Sequence, residues 1–335
     1  MAKKRATSKR RTRKKSPRNT DLTLQLVKIC GVLAILVLLV LSAGVLTRYI
    51  LKRPPTDVSP VARIPLPPVK KQAKPTYEIY PQKEPPPRSI AKLPQLPGDH
   101  PPLVAIVVDD IGYDRHIADQ FLSIDAPLTF SVLPYGPHSR EIADEARSAG
   151  HEIMLHLPME PNEFPAVNPG PGALLSQMTV DEFIGQLKAD IDQIPGLKGV
   201  NNHMGSAIST SPDRMRQIFS ILKKRGLFYI DSRTTAETVA RPSAELLQIP
   251  FTERDIFIDH LENETFIRKQ LQELVKRAQR QGYAVGIAHP HAVTYRVLAD
   301  ALPEIKQSVE LVPASMLVDS VMLAQAGKAQ AGRKE

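Results

Sequence analysis

Strand-like and helix-like segments alternate from residue 103 almost to the carboxyl terminus. This predicts an α/β fold, a (β/α) barrel that is distorted or incomplete, with seven strands. Three observations support it. Apolar runs such as Leu103–Val108 are unbroken and mostly β-branched, the composition of parallel strands covered on both faces. Each run is followed by a segment of helical character. The ligand-capable residues, Asp and His, fall where the runs end, and the carboxyl ends of such strands are where α/β folds place their chemistry. A doubly wound open sheet is the alternative arrangement of the same units.

At the amino terminus, residues 1–28 hold eleven Lys or Arg against one acid, or +10, whereas the whole 335-residue chain carries +9. The remainder is thus close to neutral, and a nucleic-acid-binding domain is unsupported. Ile29 to Leu46 is eighteen residues without a charge, near the roughly 20 needed to cross a bilayer. A cleaved signal peptide is the alternative. Against it, the run is long, and a cut after Ala43 would put Leu41 where a small residue is required. Residues 29–47 are therefore expected to be an uncleaved signal anchor. The positive excess before it keeps the amino terminus in the cytoplasm, leaving the chain beyond Arg48 outside it. The basic arm is expected to lie on anionic lipids.

The single cysteine, Cys30, lies in the anchor, so disulfides, thiolate metal sites and a Cys nucleophile are excluded. Residues 48–102 are proline-rich with interspersed Lys, Gln and Glu, a composition that buries too little apolar surface to fold. The expectation is a disordered, extended stalk. At about 3.1 Å per residue it would reach on the order of 150 Å. The alternative is a ligand for Pro-binding modules.

The folded domain is expected over 103–323, with a disordered tail at 324–335. Strands are predicted at Leu103–Asp110, Leu128–Pro134, His151–Pro158, Gly199–Gly205, Leu227–Ser232, near Ile249, Tyr283–His291 and Val309–Ser315. Helices are predicted up to Ile124, at His138–Ala149, Thr179–Ile194, Pro212–Arg225 and Glu264–Gln281, with a short one after His291. Thr179 and Glu182 form a capping box, and Gly282 stops the last long helix. A Pro/Gly-rich loop spans Met159–Gly172.

Asp109 and Asp110 end the first strand, His156 the third, His203 the next, Asp231 the one after, and His289 and His291 the penultimate one. Each alone has a structural explanation; Asp110, for instance, would cap the following helix. Five strands delivering Asp or His to one face point instead to a mononuclear metal site with an open position. His and Asp without Cys suit Zn²⁺, and Co²⁺, Mn²⁺ or Fe²⁺ accept the same donors. Adjacent strand-end aspartates point to opposite sides, so Asp109 and Asp110 are expected to do different jobs. His151 reads as structural, and His116, His138 and His260 as surface residues.

GHEIMLHLPME (Gly150–Glu160) resembles the second motif, GHEIxxHxxxH, of the carbohydrate-esterase family 4 polysaccharide deacetylases. VVDDIG (Val107–Gly112) stands where those enzymes have TFDDG. Together with NNHMGS, IDSRTT and AHPH, the set is similar to the divergent polysaccharide deacetylases, a membrane-anchored or secreted bacterial branch.

The resemblance implies a divalent metal, Zn²⁺ first, held by Asp110 and His156. His203 would restore a three-ligand site where Glu160 replaces the motif's second histidine. It implies Asp109 as the base and His289 as the general acid. Asp231, whose motif position orients another catalytic group, joins the catalytic set. Glu160, Arg233 and His291 are left as ligands or as neighbours that orient them, and Tyr113 as part of the sugar site. The third-motif arginine is missing. The chemistry implied is hydrolysis of acetyl groups from N-acetylated sugars of an envelope glycan: the metal activates water, Asp109 takes its proton and His289 protonates the departing amine. The whole would be an inner-membrane, single-pass periplasmic protein. The competing classes are a weak or inactive carbohydrate-binding or scaffold protein, and a metal-dependent amidase of another substrate. The absence of tryptophan, the usual sugar-stacking residue, argues for low glycan affinity.

Overall fold

The computed structural model describes residues 100–331. The basic arm, the expected anchor at 29–47, the stalk to residue 99 and residues 332–335 lie outside the described residues. Among the described residues no helix is long and apolar enough to cross a membrane.

Strands and helices alternate as β1 (Leu103–Ile111), α1 (Arg115–Leu122), β2 (Thr129–Val132), α2 (Ser139–Ser148), β3 (Glu152–Met159), α3 (Val180–Gln193), β4 (Gly199–Met204), α4 (Pro212–Arg225) and β5 (Phe228–Asp231). After α5 (Ala240–Leu247) come β6 (Phe251–Glu253), β7 (Ile256–Phe257), α6 (Glu264–Gln281), β8 (Tyr283–Ala288), α7 (Ala292–Ile305), β9 (Glu310–Leu311) and α8 (Ala314–Ala331). The termini follow local chemistry. Thr179 and Glu182 make the expected capping box on α3, Pro212 opens α4 behind Ser211, and left-handed Gly226 and Gly282 end α4 and α6.

Every ladder is parallel, in the order β6-β5-β4-β3-β2-β1-β8-β7, with β9 added beside β1. The path has eight strands, and β9 makes a ninth, against a seven-stranded barrel; β7 answers to no predicted strand because it is two residues long and too short to leave a pattern. The sheet is open, since among the described residues no ladder joins β6 to β7. It is nevertheless strongly curled: the N–H of Arg254 bonds to the Asp231 carbonyl on β5, and the next N–H, of Asp255, bonds to Val285 on β8. Two consecutive residues therefore bridge strands from opposite ends of the sheet.

Strand alternation sorts side chains into an outer and an inner layer. On β1, Val104, Ile106 and Val108 join the outer core with the helices, while Leu103, Ala105 and Val107 face inward. The inner layer also holds Met154, Phe228, Ile230, Phe257, Tyr283, Val285 and Ile287, covered by Leu317, Val318 and Val321 of α8. Gly199 makes room in it: an added Cβ would lie 2.3 Å from the Phe228 ring. Helix α8 starts with Ala314 N–H on Thr129 Oγ1 (3.0 Å) and Ser315 N–H on Glu152 Oε1 (2.9 Å). Both acceptors begin their strands, so α8 closes the amino-end pole and leaves the other for chemistry.

Three expectations are corrected here. The strand expected over Val309–Ser315 shrinks to β9, because Pro313 has no N–H for a ladder and stands just before α8. Residues 324–331, expected as tail, continue α8 through an Ala-rich, helix-favouring stretch. The stretch after Asp231, expected to be less regular and without a helix, contains α5, where Pro242 is tolerated because it falls in the first turn.

The loop between β3 and α3 is fastened at both ends. Glu160 N–H bonds to Leu174 O, and Leu174 N–H to Pro158 O. Behind it, Asp190 of α3 is buried, accepts from Gln186 Nε2 at 2.7 Å, and has no partner for Oδ2. Burial pushes its carboxyl up to about 7, against the lowering effect of hydrogen bonds from Gln186 and Tyr135. A folded-state value above the unfolded one means the folded state holds the proton more tightly, so stability falls as pH rises from about 4 to 7. Asp190→Asn should flatten that slope. The difference between the two stability-versus-pH curves should approach about 4 kcal/mol across the window, and parallel curves would refute the assignment.

Candidate metal centre

The site begins where β1 ends. Register against β2 shifts between Val108 and Ile111, and Asp110 takes a left-handed backbone (φ 57°). This bulge overturns the expectation that the two aspartates point to opposite sides. Asp109 faces inward by alternation, and the kink brings Asp110 inward as well. Aspartate is among the few residues that tolerate this conformation. Gly112 (φ 130°) completes the exit, since a Cβ there would meet Ser139 Oγ at 2.3 Å. Capping of α1 falls to Asp114, which accepts from Ile117 N–H, so Asp110 is left for the site.

Asp110, His156 and His203 converge with one ligand atom each, all within 4.8 Å of one another. His203 Nδ1 lies 3.1 Å and His156 Nε2 3.3 Å from Asp110 Oδ1, and the two nitrogens are 3.2 Å apart. All three residues are buried. Burial alone would raise the Asp110 carboxyl, but His203 and His156 outweigh it and hold it well below the usual carboxylate range. Asp110 Oδ1 meets only the two imidazoles, and neither Asp110 Oδ2 nor His203 Nε2 meets a hydrogen-bond partner. Buried polar groups of this kind are costly unless something satisfies them. Two imidazoles and one carboxylate around a common point are what a divalent cation with an open position requires. The residues present fit a metal.

Around the triad lies a polar layer that the sequence patterns did not identify. Asn201, directly opposite His156 in the β3–β4 register, donates from Nδ2 to Asp109 Oδ1 (2.8 Å) and Oδ2 (3.0 Å). Its Oδ1 accepts from Ser131 Oγ and lies 2.9 Å from His156 Nδ1. Its signal was present: three polar residues, Asn201 to His203, in a buried strand.

His289 follows β8, whose Ala288 pairs with Val108, so it sits beside Asp109 on the inner face. Its Nδ1 bonds to Asp259 Oδ1 at 2.8 Å, and Asp259 Oδ2 accepts from His289 N–H and Thr294 Oγ1. The carboxylate bonded to His289 is therefore Asp259, two residues past β7. Arg254, also unforeseen, is a buried cation with Nε on the Ser232 carbonyl (2.7 Å) and its guanidinium 3.6 Å over the Phe257 ring.

Other predicted residues serve the frame. Asp231 alternates outward with Tyr229, whereas Phe228 and Ile230 face in. Its oxygens accept from Arg233 N–H and Thr238 Oγ1, both at 2.8 Å. Burial and then the Glu253 charge raise its carboxyl despite those bonds and the Arg233 charge. Arg233 pairs with Glu253 at 3.1 Å. Glu160 has both oxygens on Ser176, one on the N–H and one on Oγ, which ties down the long loop. His291 stands at the N-cap position of α7 without a side-chain capping bond, and its Nδ1 lies 3.6 Å from Glu262. Tyr113 is near enough to Asp110 that burial and then that charge raise its phenol.

Fold and site together define a parallel half-barrel with a candidate mononuclear metal centre at the carboxyl ends of its strands. The chain belongs to the divergent polysaccharide deacetylase family, whose model matches residues 106–318. It is 33% identical over 216 residues to the uncharacterized protein YibQ of Escherichia coli K12, covering 64% of this chain and 67% of that one. It is 29% identical over 209 residues to an uncharacterized protein of Haemophilus influenzae Rd, covering 62% and 74%. The crystal structure of an uncharacterized Agrobacterium tumefaciens C58 protein superposes with a TM-score of 0.63 at 26% identity, covering 67% of this chain and 92% of that one.

Proposed function

We propose that this domain is a metal-dependent hydrolase that removes acetyl groups from N-acetylated sugars of an envelope glycan. The observation that carries the proposal is the convergence of Asp110, His156 and His203 beside a buried Asp109 and an Asp259-backed His289. A divalent metal, with Zn²⁺ first by donor type, would supply Lewis-acid activation of the acetamide and its nucleophile. Asp109, held by Asn201, accepts the proton that the attacking water sheds. His289, with Nδ1–H committed to Asp259, keeps Nε2 as its proton-exchanging atom and protonates the departing nitrogen. The amide C–N bond breaks, a C–O bond forms, and acetate and a free amine leave. With Glu160 engaged by Ser176, the ligand set keeps a single carboxylate.

A second reading draws on one observation: Asp109, His156, His203 and His289 are wholly buried and Asp110 is only 4% exposed, so a glycan meets little of the site's surface. That favours a binding or scaffold protein keeping the same site. The deciding experiment is acetate release from N-acetylglucosamine oligomers by metal-loaded protein. Release above a metal-free control supports the hydrolase. Glycan binding without acetate release across Zn²⁺, Co²⁺ and Mn²⁺ supports the second reading.

The proposal extends to location. Residues 29–47 would anchor the chain in the inner membrane, with 1–28 on cytoplasmic anionic lipid and 48–102 as a periplasmic stalk. A reporter active only outside the cytoplasm, fused after Pro102, should be active, and recovery of the domain as a cleaved soluble species would exclude the anchor.

A further inference from the structure

We infer that Asn201 is a positioning residue that fixes two groups at once: the tautomer of His156 and the placement of Asp109. This rests on the assignment of Asp110, His156 and His203 as metal ligands.

The chain of constraint starts at Asp109. An ionised carboxylate only accepts hydrogen bonds, and both its oxygens lie at 2.8 and 3.0 Å from Asn201 Nδ2. That orients the amide and leaves Asn201 Oδ1 facing the other way, 2.9 Å from His156 Nδ1. An amide oxygen can only accept, so His156 carries its proton on Nδ1. Its Nε2 is then the atom left to face Asp110 and His203, at 3.3 and 3.2 Å, and to serve as the ligand atom. Ser131 Oγ, which is free to donate, adds a second hydrogen bond to the same Oδ1. Asn201, Ser131, His156 and Asp109 are all fully buried, and no solvent competes for these bonds.

The consequence is geometric coupling. One side chain grips the proposed base with its donor end and presets a metal ligand with its acceptor end. The base cannot shift without disturbing the ligand. Only a curled sheet allows this, because Ser131 on β2 and Asn201 on β4 meet across the intervening β3.

The test uses the metal-free protein first. Imidazole ¹⁵N spectra at mildly alkaline pH should show His156 with its proton on Nδ1. Asn201→Asp retains an acceptor for that proton but removes the amide donor to Asp109, whereas Asn201→Leu removes both functions at similar volume. Zn²⁺ affinity is then read by competition with a chromophoric chelator. Asn201→Asp should keep the Nδ1–H tautomer and bind Zn²⁺ within about threefold of wild type while losing acetate release. Asn201→Leu should lose the tautomer and bind Zn²⁺ about 10–100-fold more weakly, the usual cost of removing a partner that orients a ligand. Wild-type protein with the His156 proton on Nε2 overturns the inference. So does Asn201→Leu with unchanged tautomer and affinity. Should Asn201→Leu not fold, the wild-type and Asn201→Asp spectra still decide. Should wild type bind no Zn²⁺, the metal assignment fails, while the tautomer still reports on Asn201 separately.

Discussion

Asp110→Ala is expected to abolish metal binding and turnover together. Asp110 is the only carboxylate among the three convergent donors, and its removal leaves two, one short of the three protein ligands that a mononuclear site with an open position uses. In wild type, a metal present at about 100 times its dissociation constant should add about 2.7 kcal/mol to stability. The variant should show no metal-dependent rise in Tm, no bound metal after dialysis and background acetate release. Its own unfolding should stay cooperative. Alanine in the left-handed position costs about 1–2 kcal/mol, and loss of the His203 and His156 contacts is offset in part by relief of a buried charge. His203→Ala should behave the same way. Glu160→Gln should retain metal, because Glu160 spends both oxygens on Ser176. A dialysed Asp110→Ala protein with full metal content would sink the ligand assignment.

How far the sequence shows this site depends on strand geometry. Asp110, His156 and His203 were visible because each stands at or near the end of an apolar run, and runs in an α/β fold end on one face. Asp231 shows the limit of the same reasoning, since it too ends an apolar run. The end of a run gives position along the strand and not the side to which a residue points, and counting from the inward Phe228 and Ile230 puts Asp231 outside. Asp110 fails the same count in the other direction, since it reaches the interior only through a bulge that no residue pattern announces. Asp259 escaped because β7 has two residues and gives no run to count from. Asn201 stands two before His203, and alternation alone would have placed both on one face. At the fold level, α3, α4 and α6 carry caps that the sequence states outright. Helix α8 does not: its apolar residues are spread around the axis, and it is fixed by what it covers, the inner layer at the amino-end pole. Helical content there is a tertiary fact, set by packing and not by pattern.

Asp109→Asn is expected to retain fold and metal while lowering the rate of acetate release by about 10²–10⁴-fold, the usual contribution of a general base. The separation follows from the contacts. Asp109 Oδ2 lies 3.7 Å from His156 Nε2, farther than Asp110, and the convergent set of Asp110, His156 and His203 omits it. The replacement keeps an oxygen that can accept from Asn201 Nδ2, so one of the two bonds from that amide survives. What is lost is the capacity to take a proton, because a carboxamide is not basic. The substituted protein should therefore bind Zn²⁺ as tightly as wild type, to within a few-fold, and show the same metal-dependent rise in Tm. The defect should appear in kcat, with little change in KM, because Asp109 exchanges a proton and does not grip the sugar. A variant that loses metal and activity in parallel would make Asp109 a ligand. One that keeps both would move the base elsewhere on the rim, and His289, its neighbour across the β1–β8 ladder, would be the next residue to replace.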